Sequence, residues 1–265
     1  LDKEIRAVFA ENLNPVFKRG KLKRWILKKN HKVIGRIAAF IDNKIVKLYS
    51  PSAGGVGFFE CIDSQEAANL LFDTAINWLK ENKMEVADGP INFGKRNRWW
   101  GLLVDGFEMP NYGMNYNFDY YQNLFENYGF LNYYEQYTFR GDLTTRPDEA
   151  KRNVEEILND PAYRFEHINL SKIDYYASTL VEIYNKAWLG HEGTPKITEE
   201  DIAKSFKQNK NLIDKRLIWF AYHNDKPIAF LVFLPEFGPV LQKLKGKLGL
   251  IQKLKFLYYK KKGLV

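Results

Sequence analysis

The densest group of side chains able to recognise a ligand lies in and just beyond a stretch rich in glycine, asparagine and aromatics, residues 92–118. Arg96, Arg98, Trp99, Trp100, Tyr112, Tyr116 and Tyr120 mix cations with rings there. Such a mixture suits stacking on a base, a sugar or a peptide. The same rings would serve equally to pin a long loop to its domain. Cys61 is the only cysteine, so no intrachain disulfide is possible. Its place in an apolar run fits a small core residue better than a nucleophile. Histidines at 31, 167, 191 and 223 are scattered without metal-ligand spacing, and no metal is expected. Gly55-Val56-Gly57 precedes a strand instead of following one, so it is no dinucleotide fingerprint. There is no G-x-S-x-G serine and no P-loop.

These residues need elements to place them. Asp2–Leu13 reads as a short helix ended by Asn14-Pro15. Lys21–Lys29 and Val33–Asp42 are β-rich runs about a polar turn, which predicts a hairpin. A loop at 50–55 leads to a strand at Val56–Ile62. Ala67, Leu70, Leu71, Ala75, Trp78 and Leu79 then repeat at three and four, the stripe of an amphipathic helix. Asp63-Ser64-Gln65-Glu66 has capping-box spacing with Asp63 as the cap. A short strand at Val86–Ile91, a helix at Asp119–Tyr128 stopped by Gly129, and a strand at Leu131–Phe139 follow. A polar helix at Pro147–Asn159 connects to a strand (Arg164–Ile168), two helices (Tyr175–Leu189, and one opened by Thr198) and a hairpin, Arg216–Tyr222 with Ile228–Leu234.

At 265 residues, two domains of about 130 residues are expected. No apolar run approaches the ~20 residues of a membrane span and nothing resembles a signal peptide, so a cytoplasmic location is expected. The formal charge of +8 is concentrated: Pro239–Val265 holds eight lysines and no acid, while the other residues balance at 32 basic against 32 acidic. The Lys243–Lys262 segment, with leucines interleaved, reads either as a connecting segment or as an amphipathic surface helix for a membrane or nucleic acid. Shifting the chain by 194 places Asn30-His31-Lys32-Val33-Ile34-Gly35 on Asn224-Asp225-Lys226-Pro227-Ile228-Ala229, which predicts an internal duplication.

The order helix, hairpin, strand, amphipathic helix, strand, helix ending in Gly-Phe, strand resembles the GNAT acyltransferase superfamily. VIGRIAAFID at Val33–Asp42, VGFFECID at Val56–Asp63 and NLFENYGF at Asn123–Phe130 carry the likeness over residues 1–140. The second half, Arg164 to about Glu236, resembles only that family's opening half. The resemblance implies acyl transfer from acetyl-CoA or another acyl-CoA to an amine. It places the cofactor along Cys61, Ile62, Asp63, Ser64, Gln65 and Glu66, and makes Glu60 the candidate base. Two departures matter. Asp63 would cap the helix start and Glu66 would add negative charge where a pyrophosphate should rest, which opposes its binding. Phe125 stands where the family often has a tyrosine that serves as an acid; Tyr128 and Tyr121 are nearby in sequence, neither at the matching place, and Tyr128 is the candidate.

The resulting expectation is an α/β (α+β) protein of two GNAT-like domains, each a mixed, mostly antiparallel sheet flanked by helices. Residues 1–146 would form the first domain with a degenerate cofactor motif, and 147–162 a linker helix. Residues 163–265 would form the opening half of a second domain, with sequence expected beyond both ends. The expected function is N-acyl transfer to a small-molecule or peptide amine. The alternative is a non-catalytic module that binds a polar ligand, nucleic acid or protein.

Overall fold

The computed structural model describes residues 2–47, 50–94, 101–111, 113–142, 148–188, 196–210, 213–236, 238–245 and 249–261. It is mixed α/β, with two mostly antiparallel sheets flanked by helices. Residues 1–136 with 236–265 make one compact unit and residues 137–235 another.

The first unit opens with α1 (Asp2–Val8), shorter than its sequence suggests because Asn14 organises a 3-10 turn at Pro15–Lys18. The Asn14 side chain accepts from the Val16 N–H (3.1 Å) and donates to the carbonyls of Val8 (2.8 Å) and Phe93 (3.0 Å). Then come β1 (Gly20–Lys29), β2 (Lys32–Asp42), α2 (Asn43–Val46), β3 (Ala53–Cys61), α3 (Gln65–Glu81), β4 (Val86–Asp88) and α4 (Tyr121–Tyr128). The sheet runs β1-β2-β3-β4, antiparallel except for the parallel β3–β4 pair. A parallel pair needs a long crossover, which α3 supplies. Its stripe (Ala67, Ala68, Leu71, Phe72, Ala75, Leu79) packs on one sheet face with Ile37, Ala39, Ile41 and Phe59. The other face packs Phe40 with Val16 and Phe93.

The second unit contains α5 (Asp148–Asn159), β5 (Tyr163–His167), α6 (Ile173–Trp188), α7 (Glu199–Asn209), β6 (Ile218–His223) and β7 (Lys226–Val232). Its sheet runs β5-β6-β7, all antiparallel, over a core of Tyr176, Leu180, Phe206, Phe220 and Tyr222. The chain then forms α8 (Gly238–Lys243) and α9 (Leu250–Lys261), which group with the first unit.

The two hairpins agree beyond their sequence likeness. Both turn through two residues of positive φ, Asn30 (49°) with His31 (65°) and Asn224 (48°) with Asp225 (58°). This is the conformation that matches the twist of a two-residue hairpin. In the first ladder Lys28 pairs with Val33 and Leu27 with Gly35, which leaves Ile34 bulged. In the second, Tyr222 pairs with Pro227 and Ala221 with Ala229, which leaves Ile228 bulged. Turn and bulge thus recur at positions 194 apart. The surroundings differ: β1 is an edge strand and β2 is central, whereas β6 is central and β7 is an edge strand.

The strand expected at Leu131–Phe139 does not form. The segment has strand-like residues but no ladder partner among the described residues, and Leu131, Tyr133 and Phe139 are almost fully exposed. A strand is stabilised by its neighbour, not by its own alternation. Beyond β4, the chain stays close to β3: the Ile91 N–H donates to the Val56 carbonyl (2.9 Å). A Cβ on Gly57 would collide with the Ile91 carbonyl oxygen, which is backbone and cannot swing aside. Gly57→Ala is therefore expected to cost about 3 kcal/mol, at the upper end of overpacking penalties. Urea unfolding checks this, and a loss under about 1 kcal/mol would mean that 89–91 does not run against β3.

Candidate active site

β3 is interrupted by a bulge. Ala38 pairs with Gly57 and Arg36 with Glu60, so Phe58 and Phe59 both stand opposite Ile37. Phe58 takes φ of 52°, a left-handed conformation uncommon for a bulky residue. Bulges re-aim side chains. Here the Phe58 ring reaches Phe9 (4.6 Å between centroids) and joins Phe9, Arg24, Ile26, Arg36 and Ala38 around an open cleft of about 280 Å³.

Just past the bulge, Glu60 is exposed, and its carboxylate meets two partners. The Tyr121 hydroxyl donates to one oxygen (3.0 Å) and the Arg36 guanidinium lies 3.4 Å from the other. Arg36 also lines the cleft, so the carboxylate and the cleft share a residue. Tyr121 is buried, and the loss of water around its phenol, followed by the charge of Glu60, raises its pKa well above the usual tyrosine range. It is a hydrogen-bond donor at every physiological pH.

Cys61 is a buried core residue, and burial pushes its thiol pKa up. That disfavours the thiolate. Its backbone matters more. The next N–H, that of Ile62, points to β2 and bonds the Ile34 carbonyl (3.0 Å). By strand alternation, the Cys61 N–H and C=O point to the outer edge. Both are taken there by tyrosines: the N–H donates to the Tyr121 hydroxyl oxygen (3.1 Å), and the Tyr120 hydroxyl donates to the carbonyl (2.9 Å). Two phenols thus complete the edge where another strand would lie. Nothing local announces this contact, which spans some sixty residues; only the aromatic pair after Asp119 hints at it.

The start of α3 differs from expectation. Ser64, not Asp63, is the N-cap, and its hydroxyl accepts from the Ala67 N–H (3.3 Å), while Asp63 is exposed. A serine cap one residue later has the extended backbone a cap requires. Gln65 is drawn toward α4, donating to the Leu124 carbonyl (3.1 Å) and to Asn69 (2.8 Å). Glu66 sits exposed in the first turn, and Ile62 is also exposed.

Tyr128 donates to Asp73 on α3 (2.8 Å). Burial first and then the Asp73 carboxylate raise its pKa above the usual range. Phe125 is buried in a ring cluster with Phe59 and Phe72. Of the cation–aromatic group, Arg96, Arg98, Trp99, Trp100 and Tyr112 lie outside the described residues. Tyr116 is exposed, and Tyr120 is on the Cys61 edge. Among the described residues no group of three or more His, Cys, Asp or Glu is placed to hold a metal ion. None of the described helices is long and apolar enough to cross a membrane.

No family model matches the chain, and no solved structure matches it. Two curated proteins are similar to it. A bacterial ceramide synthase from Caulobacter vibrioides is 30% identical over 241 residues, which are 89% of this chain and 62% of that protein. The protein YghO from Escherichia coli is 28% identical over 228 residues, 84% of this chain and 57% of its own length. The chain thus spans about three fifths of the length of the curated relatives it matches.

Proposed function

We propose that the chain is a large part of an N-acyltransferase of GNAT type, with two copies of the fold, that joins a long acyl chain from a coenzyme A thioester to a lipid-like amine. The observation that carries this reading is Glu60, held by Tyr121 and Arg36 at a strand bulge beside an open cleft. Glu60 takes the proton of the amine as its nitrogen attacks the thioester carbonyl; the C–S bond breaks, and coenzyme A leaves as its thiolate, to which the protonated Glu60 returns that proton through solvent. The amine lies in the cleft beside Phe58. Similarity to a protein named ceramide synthase supports the substrate class, since a ceramide is an N-acylated amino alcohol.

In this reading the donor is gripped by its chain more than by its phosphates. The α3 start carries a serine cap and Glu66, so it offers little to a diphosphate. Each acyl CH₂ removed from water contributes about 0.8 kcal/mol. Palmitoyl-CoA is therefore expected to raise the melting temperature at micromolar concentration, and acetyl-CoA to leave it unchanged. Incubation with palmitoyl-CoA and sphinganine should give an N-acyl product by mass spectrometry. A second reading is a non-catalytic module, favoured by one observation: both outward backbone groups of Cys61 are already satisfied by Tyr120 and Tyr121. No shift with any acyl-CoA and no product would select it.

A further inference from the structure

We infer that α9 is an interfacial helix that lays this protein on an anionic lipid bilayer. The helix is built inside out for one that faces water. Gln252, Phe256 and Tyr259, spaced four and three apart, form the half-buried side. Lys243 from α8 lies over the Tyr259 ring at 5.6 Å, which fixes which side is inward. The opposite side carries Leu250, Leu254 and Leu257, at the same spacing, with Ile251 next to them. These four are exposed at 82%, 69%, 56% and 67%. A helix at a protein surface normally turns its leucines the other way.

The occupant of this face follows from its borders. At 100° per residue, Leu257, Leu250, Leu254 and Ile251 span an arc of about 120°. Lys253 falls about 40° outside one border and Lys255 about 40° outside the other, and both are exposed. Lys243 and Lys245, on and just after α8, are exposed as well, and the segment from Pro239 to Val265 contains no acid. An apolar strip with a lysine along each edge matches a bilayer surface: leucines enter the acyl boundary while ammonium groups reach the phosphates. A folded protein partner would require acidic groups matched to both rows. Anionic lipid supplies them everywhere along the helix, which is about 18 Å long. The inference is independent of whether the first unit transfers acyl groups.

The test is vesicle co-sedimentation of the whole chain, with phosphatidylcholine vesicles compared with vesicles containing about 30 mol% phosphatidylglycerol. Partitioning is expected to rise about tenfold or more on the anionic vesicles and to fall steeply with salt. Leu250→Ser/Leu254→Ser/Leu257→Ser should abolish binding, and Lys253→Glu/Lys255→Glu should reduce it about tenfold or more. All five positions are exposed, so the thermal transition should not move, and circular dichroism verifies that each variant is folded. Equal partitioning onto neutral and anionic vesicles, or none onto either, overturns the proposal. So does a serine variant that still binds, since that is adsorption of a polycation without insertion. A dimer in light scattering that the serine variant dissolves overturns it as well, because a second copy would then cover the face.

Discussion

Replacing Glu60 with glutamine is expected to lower N-acyl transfer by about 10²–10⁴-fold, the range that a positioned general base contributes. Glutamine keeps the length and shape of the side chain and can still accept from the Tyr121 hydroxyl, but it cannot take a proton. The carboxylate is solvent-exposed, and its ion pair with Arg36 is long, at 3.4 Å between half-exposed partners. Such a pair contributes about 0–1 kcal/mol, so the variant should melt close to the parent. Tyr121→Phe separates positioning from chemistry. It keeps the ring in the core and removes the hydroxyl from Glu60 and from the Cys61 N–H. The buried N–H then loses its partner, at a cost of about 1–3 kcal/mol in stability. Transfer should fall less than in the glutamine variant. Should Glu60→Gln retain transfer within about twofold of the parent, Glu60 is not the base.

What the sequence declared was whatever depends on near neighbours. The turn at Asn30 and its counterpart at Asn224 were legible because a two-residue hairpin needs positive φ, which asparagine tolerates. The α3 stripe and the stop of α4 at Gly129, with φ of 112°, obey equally local rules, although the expected stripe included Leu70, which is exposed, and lacked Ala68 and Phe72, which are buried. The asparagine-rich stretch read as a loop for a sound reason. Asn117 exchanges two hydrogen bonds with the Leu103 backbone (2.8 and 3.1 Å), and Asn115 donates to the Gly101 carbonyl (3.0 Å), so side chains replace a ladder. What stayed hidden depended on distant partners. Leu131–Phe139 alternates like a strand yet forms no ladder with the described residues. Ser64 outcompeted Asp63 as cap by a single position. The Glu60 site rests on Tyr120 and Tyr121 crossing back over some sixty residues to β3, a contact without any periodic trace.

The ring cluster that docks α4 carries those tyrosines to the site, and Phe72 is its centre. Its ring is fully buried and stacks on Phe59 (4.8 Å, 7°). It meets Phe125 edge-on at 4.7 Å, Tyr128 at 4.8 Å and Phe130 at 5.4 Å. Phe72→Ala is therefore expected to destabilise the first unit by about 3–5 kcal/mol, from lost burial plus an unfilled cavity. That is a large share of the roughly 5–15 kcal/mol that holds a domain together. The damage should be directional, because α4 loses its main contact with α3 while the β1–β2 hairpin keeps its own ladder. Hydrogen exchange should then accelerate in Tyr121–Tyr128 well before it does in β2. Tyr128→Phe is the control: it keeps the ring, loses only the exposed bond to Asp73, and should cost about 1 kcal/mol or less. If Phe72→Ala costs no more than that control, the rings are not packed as a cluster. The placement of Tyr121 on Glu60 would then lose its support.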